Sequence, residues 1–268
     1  MKIRVHCFEC EELGRKKDSG KIPPYVPAYP YWDAPIIDLE KWPCFEMQCP
    51  QGHINRFVIS NELYELLFQQ ATYCIMDGYY REAIATYNAA LERFFEYACE
   101  LLTYDYLGGE NAGEFEKVWK HISRYSERQL GAFYFVWICK FKSAPSLIDE
   151  KMVSLRNDVV HKGILASKKE AEMFGEYVFN YIKQANKQIE ESFDVDKISL
   201  LKVGRLIRLT RKDMQKYFDS PIKRTVDGKE MYWGNSCIFI PSFLSSENIQ
   251  NYKECFKEIN NPNYGFIK

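Results

Sequence analysis

The chain of 268 residues is long enough for one large domain or two to three small ones, and its 46% hydrophobic and 27% charged residues exclude a disordered, collagen-like or low-complexity chain. With 36 basic against 37 acidic residues, the formal charge of -1 excludes a uniformly basic nucleic-acid binder but leaves room for a local basic groove. No apolar run approaches the roughly 18 residues that cross a bilayer, and the opening MKIRVHCFEC lacks an apolar signal core, so the expected setting is cytoplasmic with no membrane partner.

Residues 1–57 are turn-rich and hold Pro23, Pro24, Pro27, Pro30, Pro35 and Pro43, which disfavours long helices. Short alternating pieces, Lys2 to Val5 and Phe45 to Gln48, predict small strands. From about Ser60 the period turns helical. Leu63, Leu66, Leu67 and Phe68 open one amphipathic stretch that Asp77-Gly78 ends. A long helix follows from Tyr80 to about Tyr104, stopped by Gly108-Gly109. A third stretch runs from Glu114 to Phe141 with a break expected near Gly131. Pro145 is placed to open the next helix, and Gly163 to stop it. Ser167 and Glu170 form a capping box for a last helix reaching Phe193. Residues 58–193 thus read as four to five antiparallel helices with short loops, a helical bundle. Residues 194–268 read as a small mixed α+β appendage. Strands are expected at Leu200 to Val203 and Cys237 to Ile240, and helices at Asp213 to Phe218 and Glu247 to Ile259.

Nine cysteines are an odd number and are scattered, which in a reducing cytosol argues for metal ligands plus buried thiols rather than disulfides. Cys7-Phe8-Glu9-Cys10 is a CxxC turn, and Cys49-Pro50-Gln51-Gly52-His53 is a second knuckle-like turn. Two such turns can supply two ligands each to tetrahedral zinc, giving Cys7, Cys10, Cys49 and His53, with Cys44 able to replace either of the last two. A Pro-rich segment of this size has little core of its own and needs such a staple. The role expected is structural. A zinc hydrolase would require an open metal position and a nearby carboxylate, and although Glu9 and Glu46 are close in sequence, nothing in the sequence places them in a cleft. His6 is a spare ligand at best. Cys74, Cys99, Cys139, Cys237 and Cys255 sit in apolar surroundings and are expected in the core or as neutral thiols.

From Asp196 to Glu230, ten basic residues face five acidic ones, with Arg205, Arg208 and Arg211 at every third position. That pattern suits either phosphate binding or a solvated face. His121 is expected to be structural.

The remaining string, Ser154-Leu155-Arg156-Asn157-Asp158-Val159-Val160-His161, closes a helix just before the last long one. At about 100° per residue Asn157 and His161 share a face, and Arg156 can reach round to it. Histidine can give or take a proton near neutral pH, and arginine presents a fixed cationic fork to a phosphate. On the preceding long helix, Glu92 and Glu96 place carboxylates on a largely apolar surface, and Glu92 either joins this site or pairs with Arg93 on a solvated face.

In this bundle context the Arg-polar-x-x-x-His string resembles the HEPN family, over roughly residues 58–193. The resemblance implies a metal-independent endoribonuclease acting as a homodimer, with the strings of two protomers facing one cleft, often in toxins or antiviral defence. It implies that Arg156 holds the scissile phosphate, that His161 is the general acid or base, and that Asn157 orients the histidine or binds a phosphate oxygen. It matches Glu92 to a polar residue of the second helix that faces the cleft. RNA is the implied partner, an antitoxin or regulatory protein a possible second one, and no catalytic metal is expected. Some members of the family have lost activity and bind a nucleotide or protein partner instead.

Overall fold

The computed structural model describes residues 2–7, 9–10, 31–35, 42–107, 112–219, 222–226, 229–233, 236–238, 244, 249–258 and 266–267. The chain is mainly helical and forms two compact units. One holds Met1–Asn61, Leu206–Pro241 and Glu258–Lys268, and the other Glu62–Arg205 and Ser242–Lys257. Residues after 193 are therefore shared between them.

The first unit carries short strands. β1 (Lys2–His6) lies between β2 (Tyr31–Pro35) and β8 (Phe266–Ile267), antiparallel to both. β3 (Cys44–Gln48) and β4 (Ile54–Ile59) form a hairpin in register from Cys44↔Val58 to Gln48↔Ile54, and β7 (Ser236–Ile238) runs parallel to β4. β5 (Ile222–Val226) and β6 (Lys229–Trp233) pair separately. The strands expected at Lys2 to Val5, Phe45 to Gln48 and Cys237-Ile238 are present, while Phe239 and Ile240 lie outside the described residues.

The second unit is built on α2 (Tyr80–Leu107), a 28-residue helix about 42 Å long. Phe94, Tyr97, Ala98 and Leu101, among others, are buried on several sides of it, because α1 (Leu63–Met76), α4 (Ser126–Phe141), α5 (Glu150–His161) and α6 (Lys168–Glu191) all pack against it. The core is aromatic. Phe95 meets Phe133 at 4.9 Å, and Phe68 meets Tyr87 at 5.0 Å. α8 (Tyr252–Glu258) docks here: Tyr252 is buried and its hydroxyl lies 2.9 Å from that of Tyr87, against Gly175, where a Cβ would fall 2.3 Å from the Tyr252 oxygen. The Ser167–Glu170 capping box and the positive φ of Gly163 are both as the sequence requires.

Three expectations need correction. The break in the third helical stretch is not at Gly131, which lies inside α4 with open space around it. It falls after α3 (Ala112–Ile122), where Tyr125 adopts extended backbone. There the buried Gln129 donates to the Ser123 carbonyl, so the exit from α3 is fixed by a side chain that helical periodicity does not reveal. Pro145 does not open α5. Asp149 does, accepting from Lys151 N at 2.8 Å, and Pro145 belongs to a loop held by tyrosine hydroxyls. Leu200 to Val203 is not a strand but part of α7 (Val195–Asp219), because Leu201 and Arg205 are buried one helical turn apart. Cys139 is exposed beside Phe115, Val118 and Phe135, whereas Cys99 and Cys255 are buried. Gly108, Gly109 and the side chain of Cys237 lie outside the described residues.

Candidate functional site

Arg156, Asn157 and His161 occupy the last turns of α5. The loop leading into that helix is stapled to the core. Ile148 N donates to the Tyr134 hydroxyl at 2.7 Å, Asp149 N donates to that of Tyr177 at 3.0 Å, and the Tyr181 hydroxyl donates to Ser146 O at 2.9 Å. These bonds set where α5 begins, and Val159, fully buried, presses its far end against the core.

The Arg156 guanidinium is the hub. One of its nitrogens donates to Asn157 Oδ1 at 2.8 Å and lies 3.4 Å from His161 Nε2. Arginine has only donors, so Nε2 is the acceptor in that contact. The other terminal nitrogen donates to Ser126 Oγ at 2.7 Å and lies 3.4 Å from Glu92 Oε1. That same carboxylate oxygen accepts from Ser126 Oγ and from Asn88 Nδ2 at 2.7 Å. Only 14% of the Arg156 side chain and 21% of the Glu92 side chain is exposed. The guanidinium is thus desolvated enough to act as a fixed charge and not a swinging surface group. His161, by contrast, is exposed.

All four residues predicted for this site therefore come together. Arg93 pairs instead with Glu96 at 2.6 Å and with Gln129 at 3.1 Å, so Glu92 is directed to Arg156. Ser126 and Asn88 are the members that sequence reasoning missed. Ser126 was hidden because the start of α4 was misplaced. Asn88 stands one helical turn before Glu92, a spacing that could have revealed it. Beside Arg156 lies a cavity of about 90 Å³ with largely apolar walls, lined by Glu92, Ser126, Arg156, Phe95, Met152 and Phe174 among others.

The second cluster is Cys7, Cys10, Cys49 and His53, whose ligand atoms all lie within 4.8 Å of one another. Zinc–sulfur and zinc–nitrogen bonds of about 2.3 and 2.05 Å at tetrahedral angles require S···S edges of about 3.8 Å and S···N edges of about 3.6 Å. Cys10 and Cys49 sulfurs are 3.9 Å apart, and His53 Nδ1 lies 3.6, 3.3 and 3.6 Å from the Cys7, Cys10 and Cys49 sulfurs. The four could hold a metal ion, with separations compatible with structural zinc. The knuckle turn forms because Gly52, at φ +87°, donates to Cys49 O at 2.8 Å, while Cys49 N donates to His53 O. Burial works against the Cys49 thiolate, but bonds at the Gln51 and His53 backbone and the Cys7 and Cys10 side chains outweigh it and lower its pKa. Burial, with the neighbouring Cys7 and Cys49, pushes the Cys10 thiol strongly up.

Glu9 lies 3.4 Å from His53 Nε2, the outer nitrogen of the ring, and Asn55 donates to the Cys7 sulfur at 3.5 Å. Glu9 therefore orients the His53 ring, and Glu46 pairs with Arg56 at 2.9 Å. Cys44 is buried at the start of β3 and is not part of the group.

Arg205 corrects the reading of the basic stretch. It is 6% exposed and donates to Glu100 at 2.7 Å and to Glu62, so it is structural and not available to a phosphate. The side chains of Arg211, Lys212, Lys223, Arg224 and Lys229, like that of His6, lie outside the described residues. His121 is exposed on α3. Among the described residues no disulfide forms, and no helix is long and apolar enough to cross a membrane.

Comparison with known protein families, with curated proteins and with solved structures finds no match.

Proposed function

We propose that the chain is a cytoplasmic, metal-independent endoribonuclease of HEPN type, serving as a toxin or antiviral-defence effector. The observation that carries the reading is the Arg156 hub, which holds Asn157, Ser126 and Glu92 and lies 3.4 Å from His161 Nε2. A fixed guanidinium beside an exposed imidazole is what phosphodiester cleavage by the RNA's own 2′-hydroxyl requires. In that step the 2′-oxygen bonds to phosphorus as the P–O5′ bond breaks. One proton leaves the 2′-hydroxyl and one reaches the 5′-oxygen. His161 carries one of these transfers, and the second copy of His161 in a homodimer carries the other. Arg156 holds the non-bridging oxygens as their charge builds, and Asn157 and Glu92 keep its fork in place.

A homodimer suits the exposed apolar residues that flank the string in sequence. Val153 shares a helix face with Asn157 and His161, and Ile164 and Leu165 follow the helix at 51% and 84% exposure. An antitoxin or regulatory protein covering the same face would restrain such an enzyme. Cys7, Cys10, Cys49 and His53 hold a structural zinc ion in a ribbon-like unit, with all four positions filled by protein and no place for substrate.

The test is wild type against His161→Ala on total cellular RNA, in a chelator too weak to strip a Cys/His zinc site, with end-group analysis. Wild type should leave 2′,3′-cyclic phosphate ends, and His161→Ala, equally folded, should cut about 10²–10⁴-fold more slowly. Cleavage only with added Mg²⁺ would overturn the mechanism. RNA binding without cleavage, unchanged by the substitution, would mark an inactive binding module.

A further inference from the structure

Arg205 is taken up by Glu62 and Glu100, so cations that guide an RNA strand to Arg156 must lie elsewhere. The turn between α3 and α4 supplies them. Lys120, His121, Arg124 and Arg128 are all exposed there, and Glu127 is the one acidic residue of 120–128. The same turn delivers Ser126 to the hub, with its hydroxyl 2.7 Å from the Arg156 guanidinium. Tyr125 is the residue before it, about 3.8 Å back along the chain. Its ring stands in water, since the residue is 54% exposed. The Arg128 guanidinium lies over that ring at 4.3 Å from the centroid and donates to His121 O at 3.3 Å. The backbone beneath is held as firmly. Tyr125 N donates to Ile122 O at 3.3 Å, Tyr125 O accepts from Arg128 N at 3.1 Å and from Gln129 N at 3.2 Å, and the buried Gln129 donates to Ser123 O at 3.0 Å. The contact with Arg128 alone would be a surface brace. Its place beside the hub, among unshielded cations, makes it more than that.

We propose that Tyr125, backed by Arg128, stacks an unpaired RNA base flanking the phosphate held by Arg156, with Lys120 and Arg124 on neighbouring phosphates. The proposal rests on the nuclease reading for its ligand. A ring already fixed by folding loses little freedom when a base lies on it, and every base offers a π-face to such a platform. The substrate is therefore single-stranded at the cut, because the bases of a duplex are already stacked on one another. Base identity matters little, because the ring meets a face and reads no hydrogen-bonding edge.

The experiment is equilibrium binding to the full-length protein by fluorescence anisotropy. The probes are end-labelled 2′-O-methyl oligoadenosine and oligouridine, an abasic strand of the same length and charge, and a 2′-O-methyl duplex. The methyl group blocks the 2′-oxygen, so binding is read without cleavage. Tyr125→Ala and Tyr125→Leu, the second keeping an apolar group without a π-face, should each weaken both base-carrying single strands by about 5- to 150-fold. Neither should change the affinity for the abasic strand, and Tyr125→Phe should bind as wild type does. Lys120→Gln should weaken all single strands alike and lower the salt dependence by roughly one phosphate contact. Equal losses on abasic and base-carrying strands would make Tyr125 a brace of the turn and overturn the platform. An unchanged affinity in Tyr125→Ala, or a duplex bound as tightly as a single strand, would overturn it too. No binding of any single strand by the wild type would overturn it and assign the patch to a protein partner. Base-dependent losses with no cleavage of cellular RNA by the wild type would uphold the platform and remove the nuclease. Cleavage by the wild type with Tyr125→Ala binding unaltered would do the reverse.

Discussion

The two units keep themselves folded by opposite means. The helical unit distributes its stability over many buried rings and aliphatic groups along α1, α2, α4 and α6, each contributing a few kcal/mol at most. On the proposed zinc reading, the strand unit concentrates it. Cys7 and Cys10 follow β1, Cys49 and His53 close the β3–β4 hairpin, and a metal ion held by the four would tie two separate sheets through one point. A distributed core tolerates the loss of any one group and a single staple does not. The contrast also explains where chemistry can sit. A closed four-ligand site has no vacancy to offer, whereas long helices can hold polar side chains at a cavity's edge without collapsing around them.

The largest effect should come from breaking the staple. Structural zinc contributes about 10–16 kcal/mol in small zinc domains. Cys10→Ser, or prolonged exposure to a strong chelator, should therefore unfold the segment Cys44–Ile59 while the helical unit stays folded. Hydrogen exchange on the full-length protein is the direct measurement. Peptides covering β3 and β4 should lose protection and those covering α2 should keep it. Parallel loss in α2 would mean that the two regions are not stabilised separately.

The next effect lies in the helical unit, at a buried ion-pair group. Arg205, at 6% exposure, holds the carboxylates of Glu62 and Glu100. Arg205→Ala leaves both without that cation and should cost about 3–5 kcal/mol in chemical denaturation. Arg205→Met with Glu100→Gln should recover part of it. The pH dependence has a definite sign. Burial raises the Glu62 pKa, with Arg205 pulling against it. A carboxyl whose folded pKa is raised binds its proton more tightly when folded, so stability falls as pH rises through that window and is level above it. Without Arg205 the rise is larger, and the variant should be closest to wild type in acid. A deficit that grows as the pH falls would contradict this role for the arginine.

This contrast also governs what could be read from sequence. Local devices were legible: the strands beside the Cys/His cluster, the convergence of its four residues, the box at Ser167 and Glu170, the stop at Gly163, and the Arg156-Asn157-His161 face. Each depends on residues a few positions apart or on ligand chemistry with a narrow spacing. The remainder depends on groups far apart in sequence. Arg205 looked like a surface cation because its partners stand 105 and 143 residues away. Ser126 was missed because the end of α3 is fixed by Gln129, which also reaches Arg93 on another helix. Pro145 suggested a helix start because the three tyrosines that hold its loop extended belong to α4 and α6.

The smallest effect returns to a local device, and its smallness is the point. In the box at the head of α6, Ser167 Oγ accepts from Glu170 N at 3.3 Å, while Glu170 accepts from Ser167 N at 2.8 Å and from its hydroxyl at 2.7 Å. Ser167→Ala removes the hydroxyl and should cost about 1 kcal/mol, the usual value for a lost serine cap. The Ser167 hydroxyl and backbone N–H hold the Glu170 pKa below its ordinary value. A depressed carboxyl contributes stability above its unfolded pKa and loses it as pH falls through the folded one. The gap between wild type and Ser167→Ala should therefore narrow in acid, whereas the gap from a lost apolar core contact would stay level with pH. If this one hydroxyl cost as much as a metal ligand, stability in the helical unit would not be distributed, and the two regions would differ only in the kind of staple they use.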